Sequence, residues 1–313
     1  MKILFTGASS FSGFWFCKQL AEAEHQVFAT FTRSAIEDYP EAGFVRQRVR
    51  MLQEYVSPLW SLRAGSDAFI HLVETEPWDI ICLHASYVKD HQSPDFPVDY
   101  AVEQNTYGMD RFIPLLKEKG VPVIWTGTYY EANEGKGSDP GVDISPYARS
   151  KRLSWERLDK LARKSGVPVG KFVMPNPFGP WEGKGLTSYL VKTWLSRDFV
   201  PCIKTPDYVR DNIPIDLMAK SYLHLIKEIA YRKSTLRYNP SMYIGSQRGF
   251  VEYFTAKMEQ YFPCACQLEF ARQAIFAEPM SRYNTDSAQG RHIDWDESMF
   301  WTNLIEWYLN HLR

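Results

Sequence analysis

The sequence has few cysteines, almost no net charge and no long apolar run. Its five cysteines are an odd number in 313 residues, so they do not form a disulfide framework, and we expect reduced thiols in a cytoplasmic protein. The formal net charge of -1 gives neither the basic footprint of a nucleic-acid partner nor a polybasic membrane patch. No apolar run approaches the roughly 20 residues that span a bilayer, and we see no signal peptide. These absences favour an ordinary globular protein without a nucleic-acid or membrane partner.

Metal binding also receives little support from the sequence. Cys264 and Cys266 are close together, but no second pair of ligands lies near them. We therefore predict no metal centre.

Short apolar runs typical of strands alternate with helical segments over the first 175 residues. Strands are predicted at residues 2–6, 26–31, 44–51, 79–85, 121–126 and 167–174, and helices near 11–23, 65–76, 99–119 and 147–165. This alternation predicts a Rossmann-type α/β fold, a doubly wound parallel sheet with helices on both faces. Ligands of such sheets bind outside the carboxyl ends of the strands, so Gly7, Ala85 and Thr126 should converge on one crevice.

The pattern changes after Pro175, where prolines and glycines become dense in PNPFGPWEGKG. Helices are predicted near residues 186–197, 216–231 and 249–262. We predict a first domain at residues 1–175 and a smaller C-terminal α/β lobe at residues 176–313, packed over the crevice. Part of this second segment can return to the main sheet.

The segment TGASSFSG, residues 6–13, joins the first predicted strand to the first helix. Gly7 and Gly13 occupy two places of the dinucleotide-binding fingerprint, where the backbone turns sharply near a pyrophosphate. Ser10 stands where the third glycine is expected. A serine there costs a little if its backbone needs a glycine-like conformation, and Ser9 or Ser10 could offset this by donating a hydroxyl to a phosphate. The segment predicts a phosphate-binding loop that leads into a helix at Phe11.

Tyr147 and Lys151 are four residues apart in SPYARSKRLSWE. On a helix they lie on one face, where an ammonium group stabilises a phenolate and lowers the pKa of the phenol. Such a pair can relay a proton to or from an alcohol oxygen. Thr126 ends a predicted strand 21 residues before Tyr147, and Thr128 follows it closely. A hydroxyl there could share the charge that develops on the reacting oxygen.

The order of these motifs resembles that of the extended short-chain dehydrogenases/reductases. The resemblance is to their NAD(P)-dependent epimerase/dehydratase branch, which mostly acts on nucleotide sugars. It rests on TGASSFSG at 6–13, LHAS at 83–86, NTYG at 105–108, NPFGP at 176–180, RDNIPIDLMA at 210–219 and EPMSRYNTDS at 278–287. The first segment departs from the family's T-G-x-x-G-x-x-G only at Ser10.

The resemblance implies roles for individual residues. The catalytic residues would be Thr126, Tyr147 and Lys151, with Thr128 as a rival for the place of Thr126. The residues implied to bind the cofactor are Gly7, Ser9, Ser10, Phe11, Gly13, Ala85, Ser86 and Lys151. The residues implied to bind the substrate are Thr128, Asn176, Arg210 and Arg282, the two arginines clamping a nucleotide diphosphate.

The end of the second predicted strand, in VFATFTRSA, lacks the Asp or Glu that binds adenosine ribose hydroxyls. Arg33 follows this strand with a guanidinium group that suits a 2′-phosphate. We therefore predict NADP, with NAD left open. The acid that the family places after its third strand is also missing from VRQRVRML.

The residues after Thr126 separate the reactions of the family. The resemblance disfavours dehydration and decarboxylation, because Gly127 and Thr128 replace an acid, and 3,5-epimerisation, because residue 128 is not cysteine. The leading interpretation is reduction of a 4-keto nucleotide sugar, with Tyr147 as proton donor. The alternative is a nucleotide-sugar 4-epimerase with tightly bound NAD, and a non-catalytic dinucleotide-binding protein is more remote. The sugar, the nucleotide and the formation of a homodimer stay open.

Overall fold

The computed structural model describes residues 1–197, 199–262, 265–291 and 293–312. Its strands, in chain order, are β1 (Lys2–Thr6), β2 (Gln26–Thr30), β3 (Ser57–Leu59), β4 (Ile80–Leu83), β5 (Val123–Thr128), β6 (Lys136–Gly137), β7 (Val169–Met174), β8 (Asn176–Phe178), β9 (Cys202–Ile203), β10 (Val209–Pro214), β11 (Leu236–Tyr238), β12 (Pro240–Ser241), β13 (Tyr243–Ser246), β14 (Glu269–Phe270), β15 (Arg282–Tyr283) and β16 (Asp286–Ser287).

The α-helices surround these strands, and two short 3-10 turns lie at Ile36–Asp38 and Gln289–Arg291. The helices are α1 (Phe11–Glu22), α2 (Val45–Leu52), α3 (Asp67–Thr75), α4 (Val98–Asn105), α5 (Met109–Phe112), α6 (Leu115–Lys119), α7 (Pro146–Ser165), α8 (Leu186–Ser196), α9 (Ile215–Arg232), α10 (Gln247–Glu259) and α11 (Glu297–His311).

The main sheet has the strand order β11-β7-β5-β4-β1-β2-β3, and every pair in it is parallel. The strand order reverses beside β1, so the crevice at the carboxyl ends of β1 and β4 is the place where such sheets bind ligands. The predicted Rossmann-type fold is confirmed.

Buried apolar residues cover both faces of this sheet. One cluster packs α1, α2 and α9 against it, and the other packs α3, α5, α6 and α7 against the opposite face. The sequence IICL of β4 is buried along its whole length, as expected of a strand covered on both sides.

The third predicted strand is wrong. Residues 45–52 form helix α2, and the third strand of the sheet is the short β3. The alternation V-R-Q-R-V-R-M resembles a strand, but Val45, Arg48, Val49 and Leu52 share one face of a helix. Arg48 is buried on that face together with Val49 and Leu52, so the arginine conceals the helical pattern.

Residues beyond Pro175 form most of a third apolar cluster and also add to the main sheet. This cluster joins α8, α10 and α11, and a small sheet has the order β13-β10-β8. Helix α9 packs on α1, and β11 pairs with β7 at the edge of the main sheet.

No helix in the described part of the chain combines the length and the apolar character needed to cross a membrane. Those residues also include no cluster of three or more His, Cys, Asp or Glu side chains suited to a metal. Cys264, of the pair considered as metal ligands, lies outside the described residues.

Candidate active site

Two glycines bring the loop after β1 against its neighbours. Gly7 has φ +81°, and a Cβ there would lie 2.7 Å from the backbone nitrogen of Ala85 at the end of β4. A Cβ on Gly13 would lie 2.2 Å from the carbonyl oxygen of Gly7. Both positions therefore require glycine, and the tight turn aims the first N–H groups of α1 into the crevice.

Ser10 occupies the remaining position of the glycine pattern without strain. Its φ of -68° and ψ of 166° are extended, and it is the N-cap of α1. The Ser10 hydroxyl accepts a hydrogen bond from the Gly13 nitrogen at 3.0 Å and donates to the Gly7 carbonyl at 2.9 Å. The cost considered for a serine at this position does not arise, because the backbone is not in a glycine-like conformation.

His84 links this loop to the middle of the sheet, a role that the sequence reading missed. Its Nε2 lies 3.1 Å from the hydroxyl of Ser10 and 3.0 Å from that of Ser12, and its Nδ1 lies 3.0 Å from the hydroxyl of Thr126. Burial, with a smaller effect from Lys151, lowers the pKa of His84 to about 3. The imidazole is therefore neutral at physiological pH.

Helix α7 presents Tyr147 and Lys151 to the same crevice. Ser145 caps the helix by accepting a hydrogen bond from the Ala148 nitrogen at 3.1 Å, which places Tyr147 in the first turn. The Lys151 ammonium group is buried, donates to the Ser86 hydroxyl at 2.7 Å and lies 4.6 Å from the ring centre of Trp125. The rings of His91 and Phe96 meet the Tyr147 ring edge to face.

The pKa shifts of Tyr147 and Lys151 differ from what their spacing in the sequence led us to expect. Burial lowers the pKa of Lys151 to about 8, although Glu131 opposes the shift. Burial, followed by the negative charge of Glu131, raises the pKa of Tyr147 above its ordinary value. The predicted lowering of the Tyr147 pKa by Lys151 is not found, because desolvation of the phenolate outweighs the nearby ammonium group.

Thr126 and Thr128, the two candidates for the third position, differ in what their hydroxyls contact. Thr126 is almost fully buried, and its hydroxyl lies on His84. Thr128 is half-buried, and its hydroxyl accepts only a long 3.4 Å contact from the Tyr130 nitrogen among the described residues.

A single cavity of about 700 Å³ connects the loop with α7. The predicted site residues that line it are Gly7, Ser9, Ser10, Ala85, Ser86, Thr126, Thr128, Tyr147 and Lys151. None of its lining residues, all of them in the described part of the chain, is an acid, whereas Arg48, Arg63 and Lys151 are cationic. The cavity therefore suits an anionic ligand that is long enough to reach from the loop to α7.

Other predicted site residues do not line this cavity. Phe11 and Gly13 are in the first turn of α1. The Arg33 side chain is exposed after β2, with its guanidinium carbon 5.9 Å from the Tyr39 ring centre. Asn176, on β8, accepts a hydrogen bond from the Tyr130 hydroxyl at 3.1 Å.

Arg210 and Arg282, the expected clamp on a diphosphate, both have their guanidinium groups bonded within the chain. Arg210 is 2% exposed, donates to the carbonyls of Val209 and Pro279, and pairs with Glu278 at 2.8 Å. Arg282 is fully buried, and its two terminal nitrogens donate to five main-chain carbonyls between Tyr129 and Val142. These contacts use both guanidinium groups to hold the chain together.

The parallel sheet, the glycine-bounded loop and the Tyr-x-x-x-Lys helix together define an extended short-chain dehydrogenase/reductase. A profile of the NAD dependent epimerase/dehydratase family matches residues 3–239, and the chain belongs to this family. A search of curated protein sequences finds no match to the chain.

Solved structures share the fold over the whole chain at low sequence identity. UDP-glucose 4-epimerase of Thermotoga maritima, solved with UDP-glucose, is 15% identical with a TM-score of 0.72 and covers 100% of both chains. UDP-glucose-4-epimerase of Stenotrophomonas maltophila, solved with NAD and formylated UDP-arabinopyranose, is 14% identical with a TM-score of 0.76 and covers 99% of this chain and 98% of its own. The dTDP-glucose 4,6-dehydratase of Streptomyces venezuelae, solved with NAD, is 16% identical with a TM-score of 0.73 and covers 99% of this chain and 98% of its own.

Proposed function

We propose that the protein is an NADPH-dependent oxidoreductase that reduces a 4-keto nucleotide sugar. The observation that carries the proposal is the shared cavity, because the phosphate loop and the Tyr147–Lys151 pair line the same space. The tight turn at Gly7, the N-terminus of α1 and an acid-free wall suit a dinucleotide. In this assignment residues 1–175 mainly bind the cofactor, and residues 176–313 mainly bind the substrate.

The chain's own residues supply the proton chemistry. When bound, the nicotinamide ring supplies the hydride that adds to the carbonyl carbon. Tyr147 donates its phenolic proton to the carbonyl oxygen, and the C=O electron pair becomes the new O–H bond. Lys151 stabilises the phenolate that remains, until solvent returns a proton to it. The phenol of Tyr147 is protonated at neutral pH, as a proton donor must be, because burial raises a pKa that already lies well above 7.

Thr128 is a better candidate than Thr126 for the hydroxyl that contacts the reacting oxygen. Both threonines line the cavity, but the Thr126 hydroxyl lies on His84, whereas the Thr128 hydroxyl has one weak contact among the described residues. We expect Thr128→Val to lower kcat by about tenfold or more, and Thr126→Val to act mainly on stability. The opposite ranking of the two kcat values would return the role to Thr126.

A nucleotide-sugar 4-epimerase is the second candidate, favoured by the family and by the shared fold of two UDP-glucose 4-epimerases. An epimerase returns its hydride to the substrate, so it consumes no external cofactor and commonly keeps NAD bound. The intact pair of Tyr147 and Lys151 argues against a protein that only binds a dinucleotide.

The experiment that separates these functions measures cofactor balance. The purified protein is incubated with NADPH or NADH and with 4-keto sugars carrying UDP, GDP, CDP or TDP, and NADPH oxidation is compared with loss of the keto sugar. We expect a one-to-one ratio and about a tenfold or larger preference for NADPH, the effect of one charge-assisted contact of roughly 1.5–3 kcal/mol. Tightly bound NAD and interconversion of two sugars without net oxidation would identify an epimerase instead.

A further inference from the structure

Arg48 is a buried cation that the sequence reading did not associate with the cofactor. It lies on α2, is 5% exposed, and lines the cavity beside the phosphate loop. Burial lowers its pKa to about 10, so the surroundings disfavour the charged form. A guanidinium group in such a place normally has an anionic partner.

Within the part of the chain that the structure describes, Arg48 has only neutral partners. Its Nε and Nη2 donate to the Ser9 carbonyl at 3.3 and 3.1 Å, and its Nη1 donates to the Trp181 carbonyl at 2.9 Å. No carboxylate of the described residues forms an ion pair with it. A guanidinium has five N–H groups, so one on each terminal nitrogen has no acceptor within that part of the chain.

The groups around Arg48 in the cavity wall are hydrogen-bonding and uncharged. The Ser9 hydroxyl is close enough to the phenol of Tyr39 to affect its pKa, and Thr30 and Thr32 at the end of β2 line the same cavity. This is the strand end where an acid would bind a ribose diol, and the cavity wall has none. Arg33 is exposed and does not line the cavity, and the carboxylate of Asp38 is close enough to sense its charge.

We propose that Arg48 binds the 2′-phosphate of NADP and contributes more to the choice of NADP over NAD than Arg33 does. Its two remaining N–H groups can bind two phosphate oxygens, with the hydroxyls of Ser9 and Tyr39 beside them. The proposal rests on the NADPH preference in the proposed function but not on the identity of the sugar. The cofactor pyrophosphate is a second anion near Ser9, and the experiment distinguishes the two phosphates.

The test uses adenosine fragments, because they need neither nicotinamide nor substrate. Affinities for 2′,5′-ADP and 5′-AMP, which differ by the 2′-phosphate alone, are measured by calorimetry for the wild type, Arg48→Met, Arg48→Lys and Arg33→Ala. Arg50→Met is the matched control, since Arg50 is exposed on the same helix. Unfolding midpoints of all variants show whether α2 and the loop remain in place.

We expect the wild type to bind 2′,5′-ADP about tenfold or more tightly than 5′-AMP. Arg48→Met should reduce this ratio by about tenfold to a hundredfold. Arg33→Ala should reduce it less, and Arg50→Met should leave it unchanged. Arg48→Lys keeps the charge but not the two-pronged geometry, so it should give an intermediate ratio.

Other results would overturn the assignment. Equal losses of affinity for 2′,5′-ADP and 5′-AMP in Arg48→Met would mean that Arg48 only supports the loop or binds the 5′-phosphate that both fragments share. A wild type that does not distinguish the two fragments would exclude a 2′-phosphate site, even if Arg48→Met failed to fold. These binding measurements need no turnover, so they test the 2′-phosphate site separately from the proposed function. A protein that reduces no keto sugar can still bind 2′,5′-ADP through Arg48, and a working reductase can still lack this contact.

Discussion

At the scale of single residues, the local sequence pattern was enough to predict how Tyr147 and Lys151 are placed relative to each other. Their spacing on one helix predicts that they share a face, and the structure has both side chains on the cavity wall. Gly7 and Gly13 were also predictable, because the turn that needs them lies within their own segment. His84 and Arg48 were not, because His84 meets Thr126 across 42 residues and Arg48 meets Ser9 across 39.

The role of Tyr147 can be tested by removing only its hydroxyl. We expect Tyr147→Phe to retain cofactor binding and to lose about 10²–10⁴-fold in kcat, the usual contribution of a general acid. Turnover and calorimetric affinity for NADPH are measured in parallel. Tyr100→Phe, at a half-exposed tyrosine, is the control. A Tyr147→Phe enzyme with near wild-type turnover would remove Tyr147 from the mechanism.

The buried imidazole of His84 makes stability depend on pH in a defined direction. Its pKa is about 3 in the folded state and about 6.5 when unfolded, so between these values the unfolded chain binds more protons. Stability should therefore fall as the pH drops below 6.5, by up to about 1.4 kcal/mol per pH unit from this group.

His84→Gln should remove this part of the pH dependence while retaining hydrogen-bonding groups. Free energies of unfolding from urea titrations at pH 5, 6 and 7 provide the measurement. His71→Gln is the control, because His71 is exposed on α3. Parallel stability curves for the wild type and His84→Gln would show that His84 does not titrate on unfolding.

At the scale of elements, a buried ionic cluster connects β7 to the segment that follows β5. The Nζ of Lys171 on β7 lies 2.5 Å from Oε2 of Glu131 and 2.6 Å from Oε1 of Glu134, and all three side chains are almost fully buried. The other carboxylate oxygen of Glu131 accepts a hydrogen bond from the Thr128 nitrogen at 2.8 Å. The cluster thus fixes the end of β5, which carries Thr128 into the cavity. Sequence patterns predicted both strands but not this cluster, because charged residues are normally assigned to the surface.

Removal of Lys171, the buried cation of a cluster that Arg237 also joins through Glu134, should be costly at neutral pH. Lys171→Met leaves the Glu131 carboxylate buried without its partner, and we expect a loss of about 3–5 kcal/mol in the free energy of unfolding. Burial already raises the pKa of Glu131, so its carboxyl can take up a proton in acid. The loss should therefore grow as the pH rises through the raised pKa of Glu131, and it should be smaller at pH 5 than at pH 8.

Urea titrations at pH 5 and pH 8 measure this difference directly. Lys164→Met is the matched control, because Lys164 is exposed on α7. A Lys171→Met variant as stable as Lys164→Met at pH 8 would show that the cluster contributes nothing to the fold.

At the scale of the whole molecule, the two segments of the chain are interlocked. The fold class followed from the alternation of strands and helices, but the path of the chain after Pro175 did not. Helix α9 and β11 return to the main sheet, and β15 pairs with β6 next to the loop that follows β5. Such long-range pairings depend on complementary surfaces far apart in the sequence, which local periodicity does not encode.

Arg282 forms one of these long-range connections through its side chain. Its guanidinium group donates to the carbonyls of Tyr129, Glu131, Glu134, Asp139 and Val142, all in the segment after β5. Arg282→Met would remove a buried donor from all five carbonyls, of which only those of Glu131 and Asp139 keep main-chain hydrogen bonds, from the nitrogens of Glu134 and Val142 among the described residues. We expect a loss of about 3–5 kcal/mol in the free energy of unfolding. Arg163→Met, at an exposed arginine, should cost less than about 1 kcal/mol.

The same variant decides between the structural role of Arg282 and the clamp on a diphosphate that the family resemblance implies. Binding of UDP, GDP, CDP and TDP is measured by calorimetry at a temperature where both proteins are folded. Because the folded wild type leaves the guanidinium no exposed surface, we expect the affinity of folded Arg282→Met to change by less than about threefold. Unchanged stability together with a tenfold or larger loss of nucleotide affinity would show that Arg282 leaves its carbonyl partners when substrate binds, and that the clamp forms only then.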